Sequence, residues 1–308
     1  MKELFYFLIY PGFLFAASFG GLLSWFDRKI TAWVQFRKGP PILQPFFDFL
    51  KLLLVKETIV PTKGSVLLFL FAPIMSLFGA TASCVLILLP ATGISSGFSG
   101  DIIVIFYLLN IPALAYILGA MASGNPLASV GASREIKLVI SYELTFLLVL
   151  AAIILKSDMT ISLAEIISAQ SEHAFIGNIS GILLLIASIM CIQAKLGLVP
   201  FDIAEAETEV NHGSFIEYSG TALAMIVAAK YIMLLALPAF LCVLLIGGLN
   251  MSGMGIVYSV LKITGIVLLI TLVRNTNPRV KIKQAMKFFF IWMNLIVVIA
   301  LVLIYLGL

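Results

Sequence analysis

The sequence predicts an all-α, polytopic membrane protein of about eight transmembrane helices, with an interfacial amphipathic helix in its first charged loop. Three observations carry that prediction. Hydrophobic residues make up 62% of the 308 positions and charged residues only 11%, a balance foreign to soluble globules. Eight apolar runs, near residues 4–24, 66–90, 101–122, 137–155, 179–198, 218–247, 254–273 and 288–307, approach the ~20 residues that cross a hydrocarbon core. They are too long and too rich in leucine and isoleucine for transmembrane strands. Finally, lysine and arginine are asymmetric: the loops at 25–65, 123–137, 195–217 and 274–287 hold fifteen, and the opposite side only Lys2 and Lys156. The positive-inside rule then puts both termini outside and the four charged loops in the cytoplasm. Residues 1–308 form one transmembrane domain, and the net charge of +4 reflects topology, with no need for a nucleic-acid partner.

Taken in order, the run at 4–24 is followed, not preceded, by its basic cluster, so it reads as a retained span and not a signal peptide. The first charged loop opens with Asp27, Arg28 and Lys29 and continues through Gln35, Arg37 and the turn-forming Gly39-Pro40-Pro41. From 43 to 56, Gln44, Asp48 and Lys51 recur at helical spacing between Phe46, Phe47, Leu50 and Leu54, which predicts a helix lying flat on the bilayer. It reads either as a headgroup anchor or as a platform whose arginines pair carboxylates on a peripheral subunit. In the second charged loop Arg134 and Glu135 are adjacent. On a helix they diverge by about 100°, so each needs another partner.

Glu143 then stands about five residues into the fourth predicted span. An unpaired carboxylate at such depth costs on the order of 3 kcal/mol, so it should face the protein interior and be paired, hydrated or protonated. Lys230 in the sixth span raises the same question near mid-bilayer; Lys262 in the seventh admits a structural reading. The segment 156–178 predicts a short surface helix with no assigned role. Cys84, Cys191 and Cys242 are isolated inside spans, and two histidines, His173 and His212, cannot make a bis-histidine haem site in one span. No cofactor or metal is therefore expected in this chain. The P-loop, G-x-S-x-G and H-E-x-x-H motifs are also absent, which argues against soluble-enzyme chemistry.

The chain is organised around 195–220, which carries Asp202, Glu205, Glu207, Glu209 and Glu217, five of its fifteen acids. On a helix Asp202, Glu205 and Glu209 share one face while Glu207 points away. Their mutual repulsion favours a shared proton, a property that ion carriers need. The same spacing also fits a solvated loop with Asp202 as N-cap and Glu205 at N3.

These motifs resemble a known family. Pro200-Phe201-Asp202, Glu205-Ala206-Glu207, Glu209 and Glu217-Tyr218-Ser219-Gly220 look like the signature of the H subunit of respiratory complex I, also called NADH dehydrogenase subunit 1. Asp27-Arg28-Lys29, Gln35, Arg37, Gly39-Pro40, Leu43-Gln44-Pro45 and Lys56-Glu57 resemble its first-loop signature. Departures choose a branch. Only Pro41-Ile42 separate Gly39-Pro40 from Leu43-Gln44, where complex I carries a longer insert. Gly131-Ala132-Ser133-Arg134-Glu135 is similar to energy-converting membrane-bound nickel-iron hydrogenases, whereas Ser141-Tyr142-Glu143 looks like complex I. Lys230 stands where complex I has Glu.

The resemblance implies a membrane-anchoring, non-catalytic subunit of a hydrogenase-type or sulfur-reducing respiratory complex in a prokaryotic cell membrane. Its partners would be a peripheral-arm small subunit with a proximal 4Fe-4S cluster, a hydrogenase-like large subunit, and antiporter-like and small membrane subunits. Clusters, and on the hydrogenase branch a nickel-iron centre, would belong to those partners. Glu143, Asp202, Glu205, Glu207, Glu209 and Glu217 would mark a proton or sodium path, and Lys230 is added to it by its depth in the sixth span, since the family's carboxylate role does not carry over to a lysine. Asp27, Arg28, Lys29, Gln35, Arg37, Arg134 and Glu135 would face the peripheral arm. The competing readings are the quinone-site subunit of complex I itself, a stand-alone ion channel or secondary transporter, and a purely structural anchor.

Overall fold

The computed structural model describes residues 2–94, 97–170, 173–205, 211, 213–250 and 253–307. All regular structure among them is helical. Seven helical stretches are long and apolar enough to cross a membrane, and Ile179–Lys195 is a shorter apolar helix.

The first stretch is two helices, α1 (Lys2–Leu8) and α2 (Phe13–Val34), separated at Pro11 and Gly12. Proline has no N–H to extend a helix, so the chain restarts beyond it. This corrects the span expected at 4–24. Because α2 runs to Val34, Asp27, Arg28 and Lys29 lie on the helix and not in a loop, and Asp27 is buried. Next, α3 (Gln44–Leu54) has Pro45 in its first turn, where a missing donor is harmless. It packs on α2 and on the later helix Gly220–Leu245, and exposes Phe47, Leu50 and Leu54.

After α4 (Val66–Ala91), the run expected as one span at 101–122 is divided into α5 (Asp101–Leu108) and α6 (Ile111–Ala122). Pro112 in the first turn of α6 removes a ladder hydrogen bond there and leaves Asn110 at the break. α7 (Pro126–Lys156) is 31 residues long and starts well before the expected 137. Asn125 caps it by accepting the Leu127 N–H at 2.9 Å, and Pro126 opens it. Consequently Glu143 sits mid-helix.

α8 (Leu163–Ala169) is the short helix expected within 156–178. Beyond its end, the buried Gln170 side chain donates to the Val243 carbonyl at 2.9 Å and accepts the Gly247 N–H at 2.8 Å. α9 (Ile179–Lys195) leads to the acid loop and then to α10 (Gly220–Leu245), which apart from Lys230 is almost wholly apolar and is buried throughout its second half. A helix of that kind belongs at the centre of a bundle, and α2, α3 and α4 pack around it. Gly20 of α2 permits the closest approach: a Cβ there would lie 2.0 Å from the Tyr231 carbonyl oxygen. α11 (Gly255–Thr276) follows. Lys262 on it donates to the carbonyls of Ile246 and Gly248 at 2.7 and 3.0 Å, capping the end of α10. The last span is composite: α12 (Ile282–Lys287), a six-residue π turn (Phe288–Met293) and α13 (Asn294–Tyr305).

Candidate functional site

The acid loop leaves α9 through Gly197, whose φ of +62° suits glycine, and a cis Val199–Pro200 bond. Asp202 is in irregular structure and Ile203 to Glu205 form a turn and not a helix, which corrects the shared helical face expected for Asp202 and Glu205. Each carboxylate meets its own cation instead. Arg279 stands 2.8 Å from Asp202, and Lys230 stands 2.7 Å from Glu205 with its ammonium 4.3 Å from the centre of the Phe215 ring. Burial raises the Asp202 carboxyl above its ordinary range, and the Arg279 guanidinium opposes part of that rise. Glu207, Glu209 and His212 lie outside the described residues.

These pairs line a cavity of about 420 Å³ between α2, α10, α11 and the loop after α9. Its other charged walls are Asp27, Arg28 and Arg274. Asp27 accepts from Arg274 at 2.6 Å and from Thr271 at 2.8 Å, which ties α2 to α11. Seven of the fifteen lining residues are charged, so the space suits water and ions better than a hydrocarbon tail.

A smaller cavity of about 20 Å³ continues inward. It shares Leu196, Gly197, Glu205 and Lys230 with the first and adds Glu135, Tyr116 and Lys195. A volume of that order holds about one water. Lys195 ends the line: its ammonium bonds Asn110 at the α5–α6 break and sits about 5.5 Å from the rings of Tyr142 and Phe146. Glu143 is its electrostatic neighbour. Acids and bases thus alternate from Asp202 and Arg279 through Glu205 and Lys230 to Glu135, then Lys195 and Glu143. The long α7 aligns the last carboxylates, since Glu135, Tyr142 and Glu143 recur at helical spacing.

The residues expected to face a peripheral partner divide. Arg28 pairs with Asp48 of α3 at 3.0 Å, Lys29 lies over Trp33, Gln35 reaches Asn275 at 3.4 Å, and Arg37 is exposed. Arg134 donates to the Ile203 carbonyl at 3.3 Å and so holds the acid loop. Asp27 and Arg28 line the larger cavity and Glu135 the smaller one. Glu217 stands apart from the line and accepts from Asn125 at 2.5 Å. Sequence reasoning missed Lys195, Arg274 and Arg279. Lys195 entered only the charge count of the loop at 195–217, although a basic residue five positions before Pro200-Phe201-Asp202 is a readable signal. Among the described residues no group of three or more histidine, cysteine or acidic side chains is placed to hold a metal.

The chain matches, over residues 7–305, a family model described as NADH dehydrogenase. The H subunits of NADH-quinone oxidoreductase from Burkholderia vietnamiensis and Burkholderia ambifaria are each 31% identical over 287 residues, covering 86% of this chain and 80% of theirs. Among solved structures, a chain of the membrane-bound sulfane sulfur reductase, an archaeal respiratory membrane complex, superposes with a TM-score of 0.86 at 29% identity. That match covers 94% of this chain and 96% of the other.

Proposed function

Because the chain belongs to the NADH dehydrogenase subunit 1 family, and so is a membrane subunit of a complex I-like oxidoreductase, we propose that it couples electron transfer in a peripheral arm to ion translocation. The observation that carries this reading is the alternating line of carboxylates and cations from Asp202 to Glu143. A redox change on a partner bound over the charged loops alters the field on this line. One elementary charge arriving within about 6 Å of a carboxylate, at an effective dielectric near 20, is worth ~3 kcal/mol, or about two pKa units. That is enough to load or release a proton.

For the branch we favour a sulfur-reducing or hydrogenase-type complex over a quinone reductase. The short connection at Pro41-Ile42, the nearly complete mutual coverage with the sulfane sulfur reductase chain and the charged walls of the larger cavity support that choice. The partners in this reading are a small subunit with a 4Fe-4S cluster, a hydrogenase-like large subunit and antiporter-like membrane subunits, with the charged loops in the cytoplasm. The purified complex should reduce sulfane sulfur or evolve hydrogen and fail to reduce quinone; robust quinone reduction would overturn the branch. In liposomes, Glu143→Gln should abolish ion uptake while electron transfer persists. Equal loss of both, or of neither, would overturn the coupling role. A stand-alone channel predicts ion flux through the isolated chain with no electron donor.

A further inference from the structure

A third cavity, of about 410 Å³, opens beside the acid loop, between α9, α11 and the composite last span. Its walls differ from those of the charged cavity. Pro200, Phe201, Val273, Val280, Phe288 and Trp292 make it apolar, and Lys287 is its one charged lining residue. Lys287 is exposed, and Lys283, one turn earlier on α12, is exposed too. Among the described residues neither lysine pairs with a carboxylate, and the sequence from 274 to 287 contains five basic residues and no acid. Trp292 lies five residues beyond Lys287, further along the same span, and is exposed. Such a lysine-then-tryptophan order matches headgroup and interfacial depth in a bilayer.

We propose that this groove binds one anionic phospholipid, its phosphate held by Lys287 with Lys283 beside it and a hydrocarbon chain lying against Phe288, Trp292 and Phe201. Charge selects the lipid: an apolar slot beneath unneutralised lysines fits a phosphate bearing a hydrocarbon chain, whereas an apolar helix of a neighbouring subunit leaves those charges unmet. The π turn contributes both Phe288 and Trp292, so its wider winding shapes the groove. The lipid would also brace the candidate ion path. Phe201 precedes Asp202, the Pro200 carbonyl accepts the Val280 N–H at 3.2 Å, and Arg279 next to it pairs with Asp202.

Native mass spectrometry of the intact complex, extracted from membranes in mild detergent, tests this. The wild type should retain one more anionic phospholipid than the Lys283→Gln/Lys287→Gln variant, with affinity falling about fivefold for each lysine removed. Trp292→Ala, which keeps both charges, should weaken retention as well, and readdition of phosphatidylglycerol but not phosphatidylcholine should restore it. Equal lipid retention in wild type and double variant overturns the proposal, as does efficient disulfide crosslinking of Trp292→Cys to a cysteine in a neighbouring subunit. Neither lysine belongs to the candidate ion path, so basal electron transfer reports whether each variant has assembled.

Discussion

The Lys230 ammonium is held between the Glu205 carboxylate, 2.7 Å away, and the face of Phe215, 4.3 Å from its centre, and it borders both cavities of the charged line. The pair is about a third exposed, so water screens it and its worth to folding is under about 1 kcal/mol. Lys230→Met should therefore shift the melting temperature by only a few degrees. Ion uptake by the complex in liposomes should nevertheless fall at least tenfold, with Lys230→Arg largely preserving it. A variant that loses both stability and electron transfer would assign the pair to architecture.

Two other ion pairs permit a comparison of burial. Asp27 accepts from both Arg274 and Thr271 and its side chain is 11% exposed, whereas Arg28 and Asp48 are each 41% exposed. Asp27→Ala leaves the Arg274 guanidinium without its partner, while the Thr271 hydroxyl keeps the Val267 carbonyl as acceptor at 2.8 Å, and should cost about 2 kcal/mol. Asp48→Ala should cost less than about 1 kcal/mol. Thermal melts of the two variants side by side check the ordering; equal shifts would mean that the α2–α11 tie is weaker than its geometry implies.

The contrast between Asp27 and Asp48 also shows what the sequence reveals. Hydropathy finds the spans because a bilayer demands apolar length, and the expected 43–56 and 66–90 differ from α3 and α4 by at most two residues at either end. It misplaces ends where polar residues continue a helix. Arg28 and Lys29 lower the average over the end of α2, and Ser129, Ser133, Arg134 and Glu135 do the same at the start of α7, although Asn125-Pro126 is a readable cap. The acid cluster was legible by its rarity. Its pairing was not, because Lys230 and Arg279 come from α10 and the loop after α11, and only tertiary packing brings them to Glu205 and Asp202.

Asp202 predicts a pH dependence. Burial raises its carboxyl above the ordinary 3.8, so the folded state holds the proton more tightly than the unfolded chain does. The stability this contributes is complete below pH 3.8 and is lost as the pH rises through the raised value. Relative to Asp202→Asn, the wild type should therefore lose thermal stability across that window. Arg279→Gln removes the opposing charge and should move the window upward; an unchanged window would mean that Arg279 does not act on Asp202.

Gly20 tests whether helix separation sets the geometry of the line. A methyl at Gly20 would meet the Tyr231 carbonyl oxygen at 2.0 Å, and a helix backbone cannot step aside as a flexible side chain can. Gly20→Ala must push α2 away from α10. Ser24, Asp27 and Arg28, which lie below Gly20 on the same face and wall the larger cavity, move with it. Overpacking of this kind costs about 1–3 kcal/mol. A methyl at Gly265 of α11 would meet nothing within 4 Å, so Gly265→Ala should be neutral or slightly stabilising through helix propensity alone. Melting temperature and ion uptake of the two variants form the check. If Gly20→Ala behaves like Gly265→Ala in both, the contact between α2 and α10 does not govern the spacing of the charges.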